Sequence, residues 1–170
     1  MLETKLVTIK GQLARGEIKL SDALLIISRV LNRKISGKRL LWMNRELLGY
    51  LQEDLQSLLN ESGLQFEKAH MPVPEYRFLA GVWGKPGQDG RILHLDTPRL
   101  KEKRIFCNIG IQQIETQLET LNRSKDVDNI FCMSFDAMTG AQFFCTAEEI
   151  ERLYGSVSRR LIDFIDSVDL

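Results

Sequence analysis

The stretch from Leu40 to Tyr50 limits what this chain can become more than any other, because it carries leucines, a tryptophan and a glycine at helical spacing. With ~100° of rotation per residue, Leu40, Leu41, Met43, Leu47, Leu48, Tyr50 and Leu51 fill about half of the circumference, with Asn44 in their midst. That half is predicted to face a core. Trp42, Arg45, Glu46 and Gly49 fall on the other half, where Trp42 and Gly49 point nearly the same way two turns apart. A tryptophan above a residue with no side chain predicts a second partner that needs close backbone approach. The competing reading makes Trp42 a half-exposed aromatic and Gly49 a helix C-cap. The sequence leaves open whether Gly49 ends a helix or lies within one that runs on through Leu51, Leu55, Leu58 and Leu59. The chain expected to cross at Gly49 is Pro72–Arg77, since Pro72-Val73-Pro74 fixes an extended path. Such a crossing would bring the Arg77 guanidinium to the Glu46 carboxylate.

Periodicity places other elements around this helix. Leu2, Leu6, Ile9 and Leu13 predict a helix over 2–14, and the apolar run Ala23 to Leu31 predicts the most buried one. Ser21 is expected to cap that second helix, with Leu20 stapled against Leu25. Phe78–Trp83 and Arg91–Leu95 flank a turn-rich Gly84–Gly90, the pattern of a β-hairpin, and Ile130–Phe135 with Ala141–Cys145 suggests a second one. Ile111, Ile114, Leu118 and Leu121 mark a helix from about Ile109. Thr146-Ala147-Glu148-Glu149 reads as a capping box opening a last helix through Val157, Leu161, Phe164 and Val168. The fold class expected is α+β: a mostly helical single domain over 1–170 with a small antiparallel β-hairpin sheet in the middle of the chain.

Composition narrows the chemistry. Hydrophobic residues make up 44% and charged residues 27%, as in an ordinary globular protein, and the formal net charge is zero. The amino-terminal residues alternate charge with apolar side chains and contain no uninterrupted apolar segment, so the expected location is the cytoplasm, with no membrane contact. Cys107, Cys132 and Cys145 lie among apolar neighbours and read as buried thiols. With His70 and His94 as the only histidines, no metal site of the Cys/His type and no cofactor is expected. Gly81–Pro86 lacks the first glycine and the magnesium-binding hydroxyl of a phosphate loop and reads as a turn. A base pair of His94 with Asp96, or a thiol activated by His94, has a surface strand or an inert buried thiol as its simpler reading. Charge is uneven locally: Arg29, Arg33, Lys34, Lys38, Arg39 and Arg45 occur with no acidic residue between them, a candidate anion-binding surface.

Three motifs carry a resemblance: Trp42-x-x-x-Glu46-Leu47-x-Gly49-Tyr50, then Pro74-Glu75-Tyr76-Arg77, then Val157-Ser158-Arg159-Arg160-Leu161-Ile162-Asp163-Phe164. Together they resemble the AbiTii family of bacterial abortive-infection proteins over about residues 5 to 168. The long leucine-bearing segment between Tyr50 and Pro72 departs from the family pattern. What the resemblance implies is a role in phage defence, and it singles out Trp42, Glu46, Gly49, Tyr50, Glu75, Tyr76 and Arg77 without settled catalytic roles. The expectation is an interaction or effector module acting through protein partners or self-association. The alternative is an enzyme or binding protein acting on nucleic acid or nucleotides through the basic 29–45 surface. For Glu46, Tyr76 and Arg77 the choice is between catalysis and a structural lock, in which an arginine fork on a carboxylate ties a loop to a helix.

Overall fold

A computed structural model describes residues 2–50, 74–89, 91–95, 103–123 and 130–168. Among them run helix α1 (Leu2–Ala14), α2 (Leu20–Leu31), α3 (Gly37–Leu48), a single 3-10 turn (Glu75–Arg77), strands β1 (Phe78–Ala80), β2 (Val82–Pro86), β3 (Ile92–His94) and β4 (Arg104–Phe106), helix α4 (Ile111–Arg123), strands β5 (Ile130–Asp136) and β6 (Ala141–Thr146), and helix α5 (Ala147–Asp166). The fold is α+β, mostly helical with small antiparallel sheets. No described helix is long and apolar enough to cross a membrane. The leucine run after Tyr50, together with His70, Pro72, Val73, Asp96, Arg99 and Lys101, lies outside the described residues.

Contacts divide the chain into two compact units. The first takes in α1, α2, α3, Asn108–Thr116 with the start of α4, and α5 from Tyr154 onward. The apolar spacing drives its packing. Leu6, Ile9 and Leu13 of α1 and Leu20, Ala23, Leu24, Ile27 and Leu31 of α2 are buried, each set on one helical face. From α5 come Val157, Leu161 and Ile165. At roughly 1.5–3 kcal/mol for each large side chain removed from water, this layer supplies the unit's main drive to fold.

Helix α3 is buried more widely than its leucines predict. Leu40, Met43 and Leu47 are buried, but so are Arg45 at 5% exposure and Glu46 at 0%, while Leu48 stands 74% exposed. The solvent stripe is Asn44 with Leu48 one turn on. The supposed polar half is covered by α5, whose Phe164 meets the Trp42 ring edge-on with centroids 5.7 Å apart. Trp42 therefore does have a partner.

Gly49 ends α3, at φ 105° and ψ 171°, with its N–H bonded to the Arg45 carbonyl. It is also a point of backbone approach, so both sequence readings hold at once. The strand-like stretch Asn108–Gly110 pairs antiparallel with it, Gly49 opposite Ile109, and the Tyr50 N–H donates to the Asn108 carbonyl at 2.7 Å. The segment paired with Gly49 is Asn108–Gly110; of the Pro72–Arg77 stretch expected there, Pro72 and Val73 lie outside the described residues and Pro74–Arg77 belongs to the second unit.

The second unit comprises the described parts of Pro74–Cys107 and Gln117–Leu153. Its larger sheet has the order β3-β2-β6-β5, antiparallel throughout, and β1 pairs separately with β4. Both predicted hairpins exist, as β2/β3 and β5/β6. The predicted strand Phe78–Trp83, however, breaks at Gly81. Before the break β1 follows β4, and the Gly81 N–H donates to the Lys103 carbonyl; after it β2 joins β6, Val82 opposite Phe144. Phe143 and Leu79 are fully buried on this frame, and Trp83 meets Phe143 edge-on.

A methyl at Gly49 would approach the Asn108 carbonyl oxygen to 2.7 Å and would sit on a backbone conformation that side chains rarely adopt. Gly49→Ala is expected to destabilise the fold by about 2–4 kcal/mol. Urea denaturation measures this, and a midpoint unchanged from wild type would disprove the close approach.

Candidate functional site

Within the first unit, motif residues from α3 and α5 meet. The fully buried Glu46 carboxylate accepts a hydrogen bond from the Tyr50 hydroxyl at 2.7 Å, and the Arg160 guanidinium lies 3.7 Å from the same oxygen. The Arg160 guanidinium also sits over the Trp42 ring, 4.2 Å from its centroid, the geometry of a cation–π contact. Tyr50 reaches Glu46 because they are four residues apart, although the helix ends between them. Trp42, Glu46 and Tyr50 thus gather into one cluster with Arg160 and Phe164, at the end of the helix that Gly49 closes. A buried carboxylate needs such partners, since leaving a charge dry and unpaired costs several kcal/mol.

Glu75, Tyr76 and Arg77 belong to the second unit. Arg77 is fully buried at the mouth of the β1/β4 ladder: its Nη1 donates to the Cys107 carbonyl at 3.1 Å, and its own carbonyl accepts from the Cys107 N–H at 2.8 Å. Glu75 is exposed and pairs with Arg104 at 2.6 Å, while Arg104 also lies over the Phe78 ring. Both partners of that pair face solvent, so it contributes little to stability. Tyr76 is half-buried. In the first unit Glu46 engages Tyr50 and Arg160; in the second Arg77 engages the backbone of Cys107.

Of the basic run, Arg29, Arg33, Lys34 and Arg39 are exposed, whereas Arg45 is buried and does not belong to a surface. Of Lys38 the structure describes the backbone, in the first turn of α3. Cys107 and Cys145 are buried free thiols, as their neighbours suggested, and His94 is exposed. Among the described residues no group of three His, Cys, Asp or Glu side chains is placed to hold a metal ion.

Two clusters escaped the sequence reading. Ser21 does not cap α2, which starts one residue earlier; its N–H and hydroxyl both donate to the Glu115 carboxylate, at 3.0 and 2.6 Å. The Tyr154 hydroxyl donates to Glu115 at 2.9 Å and accepts from the Leu20 N–H at 3.2 Å. The free N–H groups at the start of α2 are thereby capped from α4 and α5, a long-range answer to a need that a local side chain usually meets. Likewise Glu149, read as half of a capping box, accepts from the Ala80 N–H at 2.8 Å and pairs with Arg152, which also donates to the Phe78 carbonyl. The Arg152 hydrogen bond holds the Glu149 carboxyl below its usual value, with burial opposing and the Ala80 N–H assisting. Apart from Arg152, which stands one helical turn from Glu149, these partners carry no local pattern, because each lies far along the chain.

No protein-family model, curated protein or solved structure matches this chain. The fold places it in the α+β class, and Trp42, Glu46, Tyr50 and Arg160 are the motif residues that meet within the first unit.

Removing the Tyr50 hydroxyl strips one hydrogen bond from a buried carboxylate. Tyr50→Phe is expected to lower stability by about 1.5–3 kcal/mol, and the same change made in a Glu46→Gln background should cost clearly less. Equal losses in both backgrounds, by chemical denaturation, would refute the coupling.

Burial, with the Leu20 N–H opposing and Glu115 adding to the effect, pushes the Tyr154 phenol up to about 12 from its usual 10. Below pH 10 the phenol is protonated whether folded or unfolded; between 10 and 12 the unfolded chain loses that proton first. Stability should therefore fall as pH rises through this window, and less steeply in Tyr154→Phe. Parallel pH profiles for the two proteins would contradict the assignment.

Proposed function

We propose that this protein is a non-enzymatic interaction or effector module of a bacterial phage-defence system, working in the cytoplasm through protein partners or self-association. What supports the phage-defence part is the resemblance to abortive-infection proteins in the three motifs around Trp42, Arg77 and Arg160. What supports a module over an enzyme is one observation: Glu46 and Arg77, the motif residues best suited to acid–base or electrostatic chemistry, are both 0% exposed. A general acid or base must come within hydrogen-bond reach of its substrate. Here Glu46 is instead engaged by Tyr50 and Arg160, and Arg77 by the backbone of Cys107. The buried motif residues Glu46, Tyr50 and Arg77 hold the fold, and the exposed surface is left to do the work.

Induced expression in a bacterial host challenged with a panel of phages is the test. The wild type is expected to reduce plaque numbers while the infected cells die. In Glu46→Gln, protection should fall in step with the melting temperature. Protection lost at a wild-type melting temperature would move the assignment to an enzyme, and no protection against any phage would end the defence reading.

A further inference from the structure

The turn between α2 and α3 concentrates positive charge that no described acidic residue pairs with. Arg29 lies in the last turn of α2, Arg33 and Lys34 in the connection, and Arg39 in the first turn of α3; all four are exposed. Among the described residues none of the four makes an ion pair, whereas Lys10, Arg15, Arg91, Arg104, Arg152 and Arg160 each have a carboxylate partner. The backbone of Asn32 continues in helical conformation, so Arg33 stands one turn beyond Arg29 on the same side.

Helix α3 adds to the imbalance. Its first turn holds no acidic residue, and the N-cap Ser36 makes no side-chain capping bond. The partial positive charge of a helix N-terminus favours anions and repels cations, yet Arg39 is placed there. Arrangements of this kind are unfavourable in the free protein and are relieved when an anion arrives. Three of the four side chains are arginines, whose planar forks match phosphate oxygens.

From this we infer that the α2–α3 turn is a docking surface for the phosphate backbone of a nucleic acid. The partner is read from the neighbours of the cations. Asn32, Ser36 and Gly37 are the other exposed residues of the turn, and none of the exposed large hydrophobic side chains falls between Arg29 and Arg39. A membrane-surface patch would combine its cations with apolar side chains that enter the lipid. Nucleic acid needs only cations, polar groups and backbone N–H donors. With the protein as a whole at zero net charge, attraction is confined to about a Debye length, ~10 Å at ordinary salt. Binding should therefore be sequence-independent, modest and strongly salt-sensitive. This inference stands apart from the phage-defence reading, since it concerns another surface and an assay with purified components.

The test is fluorescence anisotropy with labelled DNA and RNA duplexes of about 20 base pairs. Four phosphate contacts predict about a hundredfold loss of affinity between 50 and 200 mM salt. Arg33→Gln with Arg39→Gln should weaken binding at least tenfold at low salt and roughly halve the salt slope, and Arg33→Lys with Arg39→Lys should keep most of that slope. Lys5→Gln with Arg159→Gln removes the same charge elsewhere and should keep the wild-type slope. The proposal is overturned if the wild type binds neither duplex, if the two glutamine pairs weaken binding equally, or if phosphatidylserine vesicles bind at the turn and duplexes do not.

Discussion

The first unit depends on a place where two stretches of backbone touch. Gly49 closes α3 in a conformation open to glycine, and Asn108–Gly110 runs antiparallel against it. The approach is close from both sides, because a side chain on Gly110 would strike the Leu47 carbonyl and the backbone of Leu48. Two glycines facing each other let the N–H of Tyr50 reach the Asn108 carbonyl, and Gly110 then accepts from Gln113 and Ile114 as α4 begins. From this contact follow the direction of α4 and the position of its Ile111 and Ile114, both fully buried. Glu115, one residue further, is thereby delivered to the start of α2.

Polar groups in the same unit are satisfied in a consistent way. Leu20 and Ser21 are met by Tyr154 and Glu115, distant in sequence, and Glu46 by Arg160 in addition to the nearby Tyr50. Such contacts add little net energy when made, but leaving one unmade is expensive. They therefore select the arrangement of helices more than they drive its formation. The burial of leucine, isoleucine and valine faces supplies the drive. In the second unit Glu149 and Arg152 play the same part, fastening the first turns of α5 to the backbone of Ala80 and Phe78.

This division of labour bears on function. Of the residues that a motif-minded reading singles out, Glu46, Tyr50 and Arg77 are buried and absorbed into the fold. The surface charges with no ion-pair partner among the described residues, at Arg29, Arg33, Lys34 and Arg39, are those that a binding partner can use. Arg45 belongs by sequence to the second group and by burial to the first. Charge alone cannot tell the two apart.

Much of the architecture was legible in the chain itself. The apolar spacing of Leu6, Ile9 and Leu13 fixed α1, the run Ala23–Leu31 marked the deeply buried α2, and the turn residues Asp136–Gly140 located the β5/β6 hairpin. These are local signals, in which neighbours a few residues apart share a face or a turn. Tertiary structure decided the rest. It turned Leu48 to solvent and Glu46 inward, broke the strand at Gly81 between two sheets, paired β1 with a strand that its sequence did not announce, sent Ser21 to a distant partner in place of a local cap, and brought the Ala80 N–H to Glu149. The physical reason is common to all of these. A side chain's period shows which residues lie together on an element, but what covers that face, and which distant group satisfies a buried donor or acceptor, depends on elements that the local sequence does not contain.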